Sequence, residues 1–356
     1  MSVESAAPEL TEPLPGLDPL ERTASDPQPG HWIERGPLKR LMVFSGRSHP
    51  ELAERIADQL GVELGEIELE TFANDETYCR YQESIRGNDV FIVQTGSPPV
   101  DKNLMELLLM IQAAKLASAK RITAVIPWFP YSRQDRKAKP REPISGRLVA
   151  DMLQLAGADR ILTMDLHAGQ IQGFFSIPVD HMTSLPLFAN HFRDLGLTGD
   201  GVVSVAPDAG RAKHAVRFAE MIGADFAVMH KTRPAHDVAE ITEVTGRVRG
   251  KVAIVGDDQT QTGGTLLAGA KTLKEQGATD VWLFVTHALL TEEALGNLGA
   301  ADIAGIVVTD TVPIDQLHRP NNMTVLTVSG LLAETIMNAF ADESVSAIFG
   351  GENQLF

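Results

Sequence analysis

Val252-Ala253-Ile254-Val255-Gly256-Asp257-Asp258-Gln259-Thr260-Gln261-Thr262-Gly263-Gly264-Thr265 is the stretch around which the chain is organised. Its first four residues form the short apolar run expected of a parallel strand buried on both faces. Two adjacent carboxylates follow, then a polar loop with paired glycines, then a helical pattern from Leu266 to Glu275. Gly263 and Gly264 let the backbone take positive φ and approach a ligand closely. Thr262 and Thr265 add hydroxyls at the start of the helix, where N–H groups and the dipole favour an anion. Asp257 and Asp258 can accept hydrogen bonds from the vicinal hydroxyls of a sugar, directly or through a hard cation such as Mg2+. One object meets all of these demands: a phosphate at one end and a diol at the other, as in ribose 5-phosphate. The Lys-Ser/Thr of a nucleotide P-loop is absent. The plainer alternative is a βα turn that happens to carry an acidic pair and a glycine pair.

Working outward, apolar runs recur at Leu41–Phe44, Asp89–Gln94, Ile122–Ile126, Arg160–Met164, Val202–Val205, Asp225–Met229, Val281–Val285 and Gly305–Val308. Helical patterns separate most of them, among them Pro50–Leu60 and Asn103–Ala117. This alternation predicts an α/β protein with mostly parallel sheets and helices on both faces. The strands are too many for one small doubly wound sheet, so two tandem domains are expected, 39–183 and 184–341. A C-terminal segment, 342–356, is expected to return to the first domain. Residues 1–38 are rich in proline and acids, sustain neither apolar period, and read as a disordered or loosely docked tail. That tail lacks the basic start and apolar core of a secretory signal.

The composition narrows the function. A formal charge of −16 argues against non-specific binding to nucleic acid or anionic membranes. The single cysteine, Cys79, excludes an internal disulfide framework and suits a reducing, cytoplasmic setting. No run approaches the roughly twenty apolar residues of a membrane helix.

Ligands of parallel sheets sit beyond the carboxyl ends of the strands, so the polar residues there are the candidates. After Ile126, the segment from Arg133 holds Arg136, Lys137, Lys139 and Arg141, a local reversal of charge in an acidic chain. It reads either as a loop gripping a polyphosphate or as a solvated basic loop. After Met164 comes Asp165-Leu166-His167; a histidine there is either structural or a ligand. Asp208, after Val205, is either a metal ligand or a helix cap. Lys231 and Arg233, two apart beyond Met229, can reach one anion together or form a flexible basic turn.

Together these segments resemble the ribose-phosphate diphosphokinase (phosphoribosyl pyrophosphate synthetase) family, from about Leu41 to the C-terminus. The motifs stand in family order: Phe72-Ala73-Asn74-Asp75-Glu76, Glu83-Ser84-Ile85-Arg86-Gly87, Tyr131-Ser132-Arg133-Gln134-Asp135, and Gly157-Ala158-Asp159-Arg160. The run Thr163-Met164-Asp165-Leu166-His167-Ala168-Gly169-Gln170-Ile171-Gln172-Gly173-Phe174-Phe175 is the longest match. The acidic-pair loop resembles the ribose-phosphate loop of the phosphoribosyltransferase superfamily.

The resemblance implies two phosphoribosyltransferase-like domains, with ATP bound on the first and ribose 5-phosphate on the second. It implies Mg2+-dependent transfer of the pyrophosphoryl group of ATP to the ribose C1 hydroxyl, giving phosphoribosyl pyrophosphate and AMP. By resemblance, Lys231 and Arg233 are catalytic cations on a mobile loop. Arg133 and Gln134 bind ATP, and Phe72, Asn74 and Glu76 serve the adenine of a neighbouring subunit, which implies a homo-oligomer and, in this family, a hexamer. Asp257, Asp258, Gln261, Thr262, Gly263, Gly264 and Thr265 bind ribose 5-phosphate, and His167 and Asp208 take the metal-linked positions. One departure stands out: Gln261 occupies a place where the family usually has a third acid. That departure keeps a non-catalytic regulatory member in view. A sugar-consuming phosphoribosyltransferase is disfavoured by the segments around Phe72 and Arg133.

Overall fold

Every residue of Asp89–Val93 is buried, and alternate side chains enter opposite cores. Val90 and Ile92 pack with Leu104 and Met110, while Phe91 and Val93 pack with Leu52 and Ile56. A strand covered by helices on both faces must be apolar at consecutive positions, because successive side chains point opposite ways. The computed structural model describes residues 40–235 and 238–345, with side chains described outside 231–242. The tail expected over 1–38 and residues 346–356 lie outside the described residues.

The first sheet is built from β1 (Leu41–Ser45), α1 (Pro50–Leu60), β2 (Ile67–Thr71), β3 (Thr77–Tyr81), β4 (Asp89–Val93), α2 (Val100–Leu116), β5 (Arg121–Ile126), α3 (Ser145–Ala156), β6 (Arg160–Met164) and β7 (Val179–Met182). Five strands pair in the order β1-β4-β5-β6-β7, all parallel. α1 opens with Pro50, whose missing N–H has no partner to lose there, and closes on Gly61 at φ 69°. The link expected over 61–88 instead contains an antiparallel hairpin, β2 with β3, pairing Leu69 with Cys79. Its turn, 72–76, carries Phe72, Asn74 and Glu76.

The second sheet follows: α4 (Leu185–Asp194), β8 (Val202–Ala206), α5 (Ala212–Ile222), β9 (Asp225–Ala235), β10 (Val238–Thr245), β11 (Val252–Thr260), α6 (Gly264–Glu275), β12 (Asp280–Ala288), α7 (Glu292–Ala300), β13 (Gly305–Thr309), β14 (Met323–Leu326) and α8 (Ser329–Ala341). The strand order is β10-β9-β8-β11-β12-β13-β14, and only the β10 edge runs antiparallel. Two strands outrun their apolar cores. β11 continues through the acidic pair to Thr260, because β12 continues beside it and pairs Asp257 with Val285 and Gln259 with His287. β9 runs on to Ala235 and pairs with β10, so the backbone of residues 230–235 is a hairpin arm where a mobile loop or flexible basic turn was expected.

The two sheets meet through α8. Val328, Leu332, Ala333, Ile336 and Ala339 are buried with Leu52 and Ile56 of α1 and with Met182. α8 therefore packs on the first sheet's α1, and the segment 342–356 expected to return there lies outside the described residues beyond 345. Burying a side chain such as Leu332 or Ile336 contributes about 1.5–3 kcal/mol each. Arg55 on α1 reaches Asp310 at 2.9 Å, and the Thr95 hydroxyl donates to the Thr311 carbonyl at 2.8 Å, so polar contacts reinforce the same junction.

Candidate active site

The carboxyl ends of β11 and β6 face each other, which brings together residues far apart in sequence. The Asp258 side chain is 5% exposed, and its Oδ2 lies 2.7 Å from His167 Nδ1. The Asp258 N–H donates to Asp257 Oδ1 at 2.8 Å. Burial and the neighbouring Asp258 charge push the Asp257 carboxyl well above the ordinary carboxylate range, with Arg211 opposing in part. Burial pushes Asp258 the same way, but the His167 hydrogen bond and the Arg211 charge outweigh it and hold that carboxyl below the ordinary range.

Past Thr260 the chain turns. The Thr260 hydroxyl accepts from the Gly263 N–H at 3.2 Å, Gly263 sits at φ 71°, and α6 begins at Gly264. An L side chain at position 263 would be strained by its backbone alone, so glycine is required there. The Thr262 hydroxyl accepts from the Gly264 N–H at 3.4 Å. The loop Gln261–Thr265 thus ends on a helix N-terminus adjacent to the acidic pair, with an anion-favouring dipole.

Arg211 is the residue that sequence reasoning missed. Its Nη2 lies 2.5 Å from Asp258 Oδ2 and its Nε 3.5 Å from Asp257 Oδ1. The same Nη2 lies 3.1 Å from His167 Nδ1. Asp208, three residues earlier, caps the turn by accepting from the Arg211 N–H at 3.2 Å. Among the described residues no three His, Cys, Asp or Glu side chains are grouped to hold a metal ion. The acidic pair and His167 carry donors suited to a hard cation, and as they stand those donors are engaged by the Arg211 guanidinium.

Beneath the pair lies a buried polar network. Asp165 Oδ2 accepts from the Ser184 N–H at 3.0 Å and from the Thr286 hydroxyl at 2.8 Å. His181 Nε2 accepts from the Leu166 N–H at 2.8 Å, and burial pushes its pKa down to about 4. Burial also lowers His214 and His287. His287 Nε2 lies 3.2 Å from the Met164 carbonyl, and its Nδ1 lies 2.9 Å from the Thr311 hydroxyl.

Two cavities lie at the carboxyl end of β11. One, about 1000 Å³, is lined by Phe72, Glu76, Trp128, Arg133, Gln134 and Gln261 among others. The other, about 790 Å³, is lined by His167, Arg211 and Asp258, with Arg136, Lys213 and Arg217 around them.

Comparison with known proteins places this arrangement. Residues 41–157 match the family described as the N-terminal domain of ribose phosphate pyrophosphokinase, and residues 234–350 match the phosphoribosyl synthetase-associated domain. A ribose-phosphate pyrophosphokinase of Corynebacterium efficiens is 46% identical over 325 residues, 90% of this chain and 99% of that protein. The chain belongs to the ribose-phosphate pyrophosphokinase family. One from Fusobacterium nucleatum is 43% identical over 312 residues, 88% of this chain and 99% of its own length. The crystal structure of phosphoribosylpyrophosphate synthetase from Mycobacterium smegmatis superposes with a TM-score of 0.79 at 44% identity, over 85% of this chain and 99% of that one.

In this pyrophosphokinase-family chain, Phe72, Glu76, Arg133, Gln134 and Gln261 line one cavity. Asn74 lies in the same turn as Phe72, its Oδ1 accepting from the Glu76 N–H at 3.4 Å. His167 joins the acidic pair, whereas Asp208 spends its carboxylate on a cap. The backbone of Lys231 and Arg233 lies in β9; their side chains lie outside the described residues. Besides Arg211, two positions went unread: Trp128, whose indole N–H meets Gln259, and the buried Asp165 network. The run Thr163–Phe175 contained Asp165 and was the available signal for it. Arg211 had none, since its partners come from another strand.

Proposed function

We infer that the chain transfers the pyrophosphoryl group of ATP to the C1 hydroxyl of ribose 5-phosphate, giving phosphoribosyl pyrophosphate and AMP. The observation that carries this reading is the acidic-pair loop ending β11, set against His167 from β6 in a chain 43–46% identical to ribose-phosphate pyrophosphokinases over most of its length. In it, Asp257 and Asp258 take the sugar hydroxyls. The loop Gln261, Thr262, Gly263, Gly264 and Thr265 takes the 5-phosphate on the helix N-terminus. Arg133 and Gln134 hold ATP from the larger cavity, and Lys231 and Arg233 stabilise charge building on the transferred phosphoryl oxygens. Phe72, Asn74 and Glu76 serve the adenine bound by a neighbouring subunit of a homo-oligomer, read as a hexamer. The reading includes Mg2+ as cofactor and a cytoplasmic setting.

Gln261 lacks the charge of an acid, yet its backbone N–H and its place in the loop still suit a phosphate. Incubation with ATP, Mg2+ and ribose 5-phosphate tests the reading. AMP is expected to appear in step with phosphoribosyl pyrophosphate. A folded protein that forms no AMP would make the chain a regulatory member instead, and pyrophosphate release from added phosphoribosyl pyrophosphate and a base would make it a transferase.

A further inference from the structure

The guanidinium of Arg211 sits among the acidic pair and His167, each of its contacts falling on an atom that a bound cation would use. Nη2 is 2.5 Å from Asp258 Oδ2 and 3.1 Å from His167 Nδ1, and Nε is 3.5 Å from Asp257 Oδ1. Nη2 also reaches the His167 carbonyl at 3.4 Å. The side chain is only 17% exposed. Its backbone is fixed as well, because Asp208 caps the turn from which it springs. Arginine stays protonated at all ordinary pH, so this positive charge cannot be removed by deprotonation. A hard divalent cation and a guanidinium compete for the same carboxylate oxygens and cannot both occupy the space between them.

We propose that Arg211 is a built-in counter-ion for the acidic pair, so that a divalent cation binds there only by exchange, displacing the guanidinium. The proposal rests on the reading of the pair as a cation and sugar site. In the free chain the buried carboxylate of Asp258 is never without a positive partner, which avoids the heavy penalty of an unpaired buried charge. The consequence is a weaker intrinsic hold on the cation than the bare carboxylates would give. Arg211 is thus a positioning residue: it holds the pair and His167 in place until the exchange.

The test measures Mn2+ binding by electron paramagnetic resonance to the full chain, with neither nucleotide nor sugar present, so that the readout is independent of catalysis. Arg211→Ala and Arg211→Gln are compared with wild type and with Lys213→Ala, which removes the same charge from an exposed site two residues along. Circular dichroism checks folding, and the glutamine variant, which keeps much of the length and a donor, carries the test should the alanine variant fail to fold. Removing Arg211 is expected to tighten Mn2+ binding by about tenfold or more, a change of about 1.4 kcal/mol or more. Lys213→Ala is expected to change it less than about twofold, since exposed charges are screened. Unchanged or weaker Mn2+ binding without Arg211, or an equal gain from Lys213→Ala, overturns the proposal. Absence of Mn2+ binding in every protein overturns it together with the cation reading; binding that ignores Arg211 overturns the exchange alone.

Discussion

Trp128 donates its indole N–H to Gln259 Oε1 at 3.1 Å, tying the end of β5 to the end of β11. The bond orients the amide: with Oε1 on the indole, Nε2 points the other way. Gln259 is 4% exposed, and its Nε2 has no hydrogen-bond partner among the described residues. Burying an amide donor unpaired costs about 1–3 kcal/mol. Trp128→Phe strands the carbonyl end as well, and Gln259→Met strands the indole. The double variant removes all three polar groups, so it is expected to be more stable than the sum of the single changes predicts, by about 1 kcal/mol. Urea unfolding of the four proteins, at equal m-value, measures this. Additivity within about 0.3 kcal/mol would show that the bond does not couple the two sheets.

Replacing Asp257 and Asp258 together by Asn is expected to raise the ribose 5-phosphate concentration needed for half-maximal rate far more than that of ATP. Steady-state kinetics with each substrate varied in turn checks the assignment. An unchanged ribose 5-phosphate requirement would take the sugar hydroxyls away from the pair.

Lys231→Ala and Arg233→Ala are expected to lower kcat by several orders of magnitude with small changes in KM. Cations that meet a transferring phosphoryl group are worth about 10³–10⁵ in rate elsewhere. A turn that merely concentrated the substrate would show the opposite pattern, a raised KM with kcat spared, and added salt would mimic it in the wild type.

Stability is expected to fall as the pH drops from about 6.5 toward 4. Burial holds the His181 pKa at about 4, below an unfolded value of about 6.5. Between those values the unfolded chain binds the extra proton, so stability rises with pH across the window and is lost on acidification. His214 and His287 are lowered for the same reason and add in the same direction. Asp165 works lower down: its folded pKa is depressed, so its contribution is lost only as pH falls below about 3.9. For His181 alone the loss is on the order of 2 kcal/mol at pH 5. Urea midpoints at pH 7.5 and 5.0 for wild type and His181→Asn check it, and equal pH slopes for the two would exclude His181.

The features legible in the sequence were those written in consecutive residues. The apolar runs of β4, β5, β6 and β11 announced strands buried on both faces, and Gly263-Gly264 announced a tight turn before a helix. Ladders that continue through polar residues were not legible: nothing local says that Asp257–Thr260 stay in β11, because β12 holds them there. The hairpins β2–β3 and β9–β10 were missed for a related reason, their strands carrying charged or polar residues among the apolar ones. Arg211 was invisible because an arginine near a strand end has no pattern of its own. Its meaning comes from Asp258, which the pairing of β11 beside β8 brings within reach.

The packing of α8 against α1 sets an order of events during synthesis. The first sheet has all its strands once Met182 has left the ribosome, yet one of its faces lacks Leu332 and Ile336 until the last helix is made. At about 5–20 residues per second, the roughly 150 residues in between take about 7 to 30 s to appear. For that interval Leu52, Ile56 and Met182 have the strand side of their core, Phe91, Val93 and Val125, but not the α8 side. A stop codon anywhere before Val328 would leave that core permanently half built.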